Sequence, residues 1–202
     1  DELELKGKLG GQLAVAGKVD NLSPTAVTAK GNLSFSQGID LLENPLSATV
    51  AWDGKRLDVL QAKGNSLNAQ GYVVLDKSFF SDIPDKLAAV DYFEFDVPEA
   101  RRIDLQKLRL PLPSWAKNLD YEGRGDFSGK IGGVPSAMKI NGNLSLNNFR
   151  VEDLNFAPLL TGNVQVSPEI GVKLNLQEVL TRPLLSARSD LGNQSRSLDQ
   201  IK

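Results

Sequence analysis

The chain has 202 residues, a net charge of −2 and a pI of about 5.3, so no basic surface advertises nucleic acid. It contains no cysteine and no histidine, which removes disulfides, thiolate or imidazole zinc sites, Ser-His-Asp triads and a histidine acid or base. No apolar run approaches the ~20 residues that a membrane-spanning helix needs.

The dominant period is two. From Leu3 the odd positions read Leu3, Leu5, Gly7, Leu9, Gly11, Leu13, Val15, Gly17 and Val19, and the even positions between them are largely polar. That alternation predicts a half-buried β surface. Because "DELELKGKLGG" already begins inside the pattern, the chain reads as an excised piece of something longer. The alternation recurs in Val27, Ala29, Gly31, Leu33, Phe35, then in Leu46, Ala48, Val50, Trp52, and then in Leu67, Ala69, Gly71, Val73, Leu75. Turn-forming words such as "DNLSP", "SQG", "WDGK" and "KGN" separate the runs.

Residues 76–120 differ. They hold Pro84, Pro98, Pro111 and Pro113, with no clean long alternation. "SDIPDKLAAV" predicts at most one short helix near 82–90, while 90–97 and 102–110 read as short strands and "PLPSWAKNL" as a loop. The alternation returns in Tyr121, Gly123, Gly125, Phe127, Gly129, Ile131, in Met138, Ile140, Gly142, Leu144, Leu146, and in Val164, Val166, Val172, Leu174, Leu176. The blocks are therefore 1–75 and 121–180, each a β repeat, with a connecting block at 76–120 and a frayed end or partial next unit at 181–202. Glycine keeps falling on the apolar side, which fits a strongly curved sheet whose inward side chains crowd one another.

The two β blocks repeat one another. "GNLSFS" at 31–36 returns as "GNLSLN" at 142–147, "GKV" at 17–19 as "GKI" at 129–131, and "NPLSATV" at 44–50 as "APLLTGNV" at 157–164. Pro24 stands opposite Pro135, and Ala26 opposite Ala137. The spacing drifts by a residue or two between these matches, as small insertions in turns would produce.

No enzyme signal survives inspection. Asp91, Glu94 and Asp96, and likewise Asp120, Glu122 and Asp126, lack Ca²⁺-loop spacing and read as solvated strand faces. "GRGDFSG" at 123–129 is not a phosphate-binding glycine motif, and no serine–lysine pair sits in a nucleophile context. Asn21, Asn32, Asn143 and Asn193 open N-x-S triplets that an Asn- and Ser-rich chain yields by chance. Trp52 and Trp115 are packing residues more readily than ligand markers. We expect a non-enzyme with no metal and no cofactor.

The repeated blocks, with their "PLPSW…YEGRGDFSGK" lead-in, resemble the C-terminal region of the TamB family, the inner-membrane subunit of the translocation and assembly module, in the style of its cyanobacterial and chloroplast members. The resemblance covers about residues 5–180. It implies an all-β fold, a long curved antiparallel sheet that forms an open half-pipe (a β-taco) with an apolar interior. It also implies an inner-membrane anchor elsewhere in the protein, a path across the periplasm (the intermembrane space in a chloroplast relative), and an Omp85-family outer-membrane partner. The implied role is in outer-membrane biogenesis, with lipid acyl chains as cargo, or unfolded outer-membrane protein strands in a chaperone-like alternative. A closed β-solenoid for carbohydrate binding or adhesion is the more distant alternative.

The residues support a trough on their own account, because no second amphipathic layer is available to cover the apolar side. The expected lining is Leu13, Val15, Val27, Leu33, Phe35, Leu46, Val50, Trp52, Leu67, Val73, Phe127, Met138, Ile140, Leu144, Leu146, Val164 and Val166. An excised sheet also ends in unpaired strands, so self-association of copies through an edge strand is expected.

Overall fold

The computed structural model describes residues 8–18, 20, 23–37, 45–82, 85–107 and 120–179. Their strands are β1 (Leu9–Ala16), β2 (Thr28–Phe35), β3 (Leu46–Trp52), β4 (Arg56–Gly64), β5 (Leu67–Leu75), β6 (Val90–Asp104), β7 (Tyr121–Val134), β8 (Ala137–Val151), β9 (Leu154–Asn155), β10 (Leu159–Ser167) and β11 (Gly171–Glu178). All belong to one antiparallel sheet, ordered β1-β2-β3-β4-β5-β6-β7-β8-β10-β11, with the short β9 pairing β8 off this path. β1 does not pair with β11, so the sheet is open, and the closed β-solenoid considered above is not this fold.

The two sequence repeats occupy equivalent places. In the first, Gly31 faces Val50 and Phe35 faces Leu46; in the second, Gly142 faces Val164 and Leu146 faces Leu160. The "GKV"/"GKI" match does not carry over in register. Gly129 lies directly opposite Gly142, but the residue opposite Gly31 is Leu13, and Gly17 lies beyond the end of β1. The first hairpin spends more residues in its connection, which displaces the glycine while the strands stay aligned.

The middle of the chain departs from expectation in two ways. Residues 90–104 form one 15-residue strand, not the two short ones expected over 90–97 and 102–110; residues 108–119 lie outside the described part. β6 bridges β5 and β7, so the sheet continues through the 76–120 block without a break. The alternation was hidden because the ladder slips between Val97 and Ala100 and again between Ala100 and Ile103, which spaces successive inward residues by three. Pro98 sits in the first slip, a place where a residue without an N–H is tolerated in a sheet.

The region near 82–90, where the sequence predicts at most one short helix, holds a single 3₁₀ turn at Leu87–Ala89, and another stands before it at Lys77–Phe80, with residues 83–84 outside the described part. Asp76 Oδ1 accepts from the Ser78 N–H at 2.9 Å, and Asp85 Oδ1 accepts from the Leu87 N–H at 2.9 Å. Each carboxylate organises one turn, and Val90 then enters β6 at once.

Register slips occur in every ladder from β3·β4 to β7·β8, whereas β1·β2, β2·β3, β8·β10 and β10·β11 run regularly. Bulges bend a strand and increase its twist, so the bending is concentrated in the middle of the sheet. The buried cluster sits there too, built from the small residues Ala62, Ala69, Val97 and Ala100 with half-buried neighbours such as Phe95 and Phe127.

Side-chain crowding accounts for some apolar-side glycines, such as Gly125 beneath Leu105, Leu144 and Leu146, but others have a different cause. A Cβ at Gly31 would lie 1.9 Å from the Gln12 carbonyl oxygen, and one at Gly71 would lie 2.1 Å from that of Glu94. The neighbouring backbone itself occupies the space. Gly71→Ala should therefore destabilise by about 1–3 kcal/mol or more, read as a lower urea midpoint. Gly10→Ala on the other side meets only the rotatable Ser34 Oγ at 3.1 Å and should stay within about 0.5 kcal/mol of the parent.

The β3–β4 hairpin turns on Asp53 and Gly54, whose φ of 100° favours glycine. Asp53 Oδ1 accepts from the N–H groups of Arg56 at 2.6 Å and Lys55 at 2.9 Å, and these bonds hold its carboxyl below the usual aspartate range. A pKa depressed by folding adds stability that is present above the unfolded value of ~3.9 and lost as pH falls through the lower folded value. Asp53→Asn keeps an acceptor but removes the charge. Its stability deficit in chemical denaturation should be largest near neutral pH and should vanish in acid.

Candidate functional site

The register carries one face of the sheet from strand to strand. Leu13 pairs with Gly31, Gly31 with Val50, Val50 with Val59, Val59 with Gly71 and Gly71 with Phe95. Phe95 then pairs with Ile131, Ile131 with Ile140, Ile140 with Val166 and Val166 with Val172. Followed in this way from Leu9–Val15 to Val172–Leu176, the face carries only apolar side chains and glycine; Glu178, opposite Leu160 at the tip of β11, is the first charge. The reverse face holds Lys30, Asn32, Thr49, Asp58, Glu94, Lys130, Asn143 and Lys173 at the alternating positions.

Every residue of the expected lining that lies in a strand falls on this apolar face: Leu13, Val15, Leu33, Phe35, Leu46, Val50, Trp52, Leu67, Val73, Phe127, Met138, Ile140, Leu144, Leu146, Val164 and Val166. Val27 precedes β2 and is half-buried, with a Cγ 2.7 Å from where a Cβ of Gly17 would stand. Exposure is graded along the face. Val50, Leu146 and Val164 are buried, Leu33, Phe35, Met138 and Ile140 are half-buried, and the edge residues Leu13 and Val15 are 49% and 60% exposed.

Among the described residues no second layer covers the face, but short segments fold over both rims. At the rim formed by the end of β3, the Trp52 ring meets Phe80 of the first 3₁₀ turn edge-to-face, with centroids 5.7 Å apart. The Trp52 indole N–H donates to the Pro24 carbonyl at 2.7 Å, which holds the ring in place. At the opposite rim Leu105, only 5% exposed, lies over Gly125, with its Cδ2 3.2 Å from where a Cβ there would stand. Sequence reading missed Leu105, and also Leu57, Val59, Phe93, Phe95, Val97 and Ile103, which share the face across β4 and β6. Leu57/Val59 and Phe93/Phe95/Val97 do alternate with Asp58, Glu94 and Asp96, but the period of two breaks after Val59 and after Val97, which leaves the runs short.

The acidic groups of the sequence lie elsewhere. Glu94 and Asp96 are on the polar face, where Glu94 accepts from the Tyr72 hydroxyl at 3.4 Å, and Asp91 pairs with Lys55 at 3.7 Å. Glu122 pairs with Arg150 at 2.8 Å, and Asp126 accepts from the Arg102 N–H at 2.8 Å. Asp91, Glu94, Glu122 and Asp126 thus each have a structural partner, and Glu94, Asp96, Glu122 and Asp126 lie on the polar side of the ladders. "GRGDFSG" runs straight through β7 and has no helix after it. Trp115, Asn21 and Asn193 lie outside the described residues.

No family model, no curated protein and no solved structure matches the chain.

The gradient of exposure separates folding from contact along one face. Leu146→Ala should cost about 2–5 kcal/mol in urea unfolding, the range for a buried leucine. Leu13→Ala should change stability by no more than about 0.5 kcal/mol.

Proposed function

We propose that the apolar face is a trough that shields lipid acyl chains from water. In this reading the chain is a segment of a TamB-type protein, anchored in an inner membrane, crossing the periplasm toward an Omp85-family partner and serving transport of phospholipid between the membranes. One observation carries the reading: an unbroken apolar face over ten paired strands, with no layer above it among the described residues. Extensive uncovered apolar surface on a chain with this many charged residues is characteristic of an interaction site. Ten strands at ~4.8 Å spacing give a face about 43 Å long, and one leaflet of hydrocarbon is about 15 Å thick, so an acyl chain fits lengthwise. At roughly 0.8 kcal/mol for each buried CH₂, several methylenes suffice for measurable binding without a polar anchor. The absence of charge on the face agrees, since a carboxylate there would be costly beside an acyl chain.

The unpaired edges favour one second reading, a chaperone-like trough that takes up outer-membrane protein strands by strand addition. Native mass spectrometry of the purified chain separates the two: co-purified phospholipid supports the first, and bound peptide the second. Titration with a fluorescent fatty acid gives the quantitative test. Leu33→Asp and Ile140→Asp, at half-buried positions of the face, should weaken binding at least tenfold while circular dichroism retains the strand signal. Binding unchanged in both variants would overturn the reading.

A further inference from the structure

The sheet's β1 edge lacks the devices that usually keep strands apart, and the β11 edge carries one inner charge, Lys173, with Glu178 at its tip. β1, LGGQLAVA, is eight residues long with no charge and no proline, and among the described residues it pairs only with β2. Among the described residues β11 likewise pairs only with β10. A long uncharged edge is a template for another strand. On the apolar face both edges leave side chains open: Val15 is 60% exposed and Leu174 is 52% exposed.

The partner is specified by direction and by side-chain rows. Ten antiparallel strands on the path make β1 and β11 run in opposite directions. A second copy placed beside the first, without being turned over, therefore brings its β1 antiparallel to β11 with its apolar face on the same side. On the polar face a row of uncharged hydrogen-bonding side chains ends at β11 with Asn143, Asn163 and Asn175, and a similar row starts at β1 with Gln12, Asn32 and Thr49. The row is hydrogen-bonded where Thr49 Oγ1 donates to Asn32 Oδ1 at 2.8 Å. Setting Asn175 opposite Gln12 joins the two rows and, in the same register, sets Leu174 opposite Leu13.

We propose that copies of this chain associate head to tail, β11 of one against β1 of the next, in that register, so that the apolar face continues from copy to copy. The proposal is independent of what the face binds. A two-fold β1–β1 contact would close at a dimer and leave both β11 edges open, whereas head-to-tail pairing occupies both kinds of edge and does not close. The register also brings uncharged Ala14 opposite the cation Lys173, a pair in which attraction or repulsion can be introduced by substitution.

The test is sedimentation of the chain over a range of concentration, with circular dichroism on each variant to establish that the sheet is retained. The expected result is a mean mass that rises past the dimer as concentration rises. Ala14→Glu places a carboxylate opposite Lys173 and should lower the concentration for half-association about two- to fivefold; adding Lys173→Glu places like charges together and should raise it above the parent's. Crosslinking gives a readout that does not depend on affinity, since the sequence has no cysteine. Oxidised Gln12→Cys/Asn175→Cys should form a ladder of covalent oligomers, and Gln12→Cys alone should not. A chain that stays monomeric, a mass that stops at the dimer, equal shifts in both charge variants, or crosslinking by the single cysteine would each overturn the proposal.

Discussion

A sheet that is apolar on one side has to keep that side from water, and the described residues bring no second layer with which to do it. The described residues outside the strands amount to turns, connections and three 3₁₀ turns, none long enough to lie across the sheet. What cover exists comes from within. Five consecutive ladders carry register slips, and bulges at those places turn the strands so that side chains of neighbouring strands lean together. The buried cluster of Ala62, Ala69, Val97 and Ala100 lies among these bulges, and it is made of small residues because the strands there bend too closely for larger ones. Phe80 and Leu105 extend the cover at the rims without closing it.

Close approach of the neighbouring strand, more than side-chain crowding, explains Gly71 and Gly142. At Gly71 the neighbouring strand's backbone approaches so closely that a Cβ would overlap the Glu94 carbonyl oxygen, and the Phe95 ring lies in the same space, its Cδ1 2.7 Å from that Cβ position. Gly142 repeats the arrangement, with the Ser128 oxygen at 2.3 Å and the Phe127 ring at 2.8 Å. A large aromatic from the adjoining strand thus covers a position where no side chain fits. Each such pair exchanges a side chain's own packing for closer strands, and it leaves the apolar face continuous.

How much of this the sequence discloses depends on whether the period of two stays intact. It does in β1, β2, β3, β5, β7, β10 and β11 and in β8 as far as Asn147, where alternation alone assigns residues to the correct face. β4 and β6 lose it. In β4 the slip between Val59 and Ala62 inserts an extra residue, so Leu60 turns outward and is 47% exposed although it continues an apolar run. In β6 the spacing of Val97, Ala100 and Ile103 mimics a helical period, and Pro98 strengthens the impression of a break. A bulge costs the reader one residue of phase, and without a partner strand in view there is no sign of where the phase is lost. The covers at the rims were hidden for another reason. Phe80 and Leu105 belong to no alternating run, and only the path of the backbone brings them over Trp52 and Gly125.

The gradient of exposure along the face bears on what the sheet can do with its apolar surface. Leu146 at 4% and Val50 at 7% have already spent their area on neighbouring side chains, so a ligand gains almost nothing from them. Leu33, Phe35, Met138 and Ile140 are half-buried and keep surface to offer, and at about 25 cal/mol for each Å² covered a few such side chains yield several kcal/mol. Toward β1 and β11 the side chains are mostly exposed, which is where association with a further strand or a ligand returns most. Stability is therefore concentrated in the bulged middle of the sheet, and the capacity to bind grows toward its regular flanks. A closed barrel could not divide the two in this way, because every inward residue would share one dry interior. An open sheet can, and the exposed side chains at its two edges keep the apolar face continuous with whatever adjoins it.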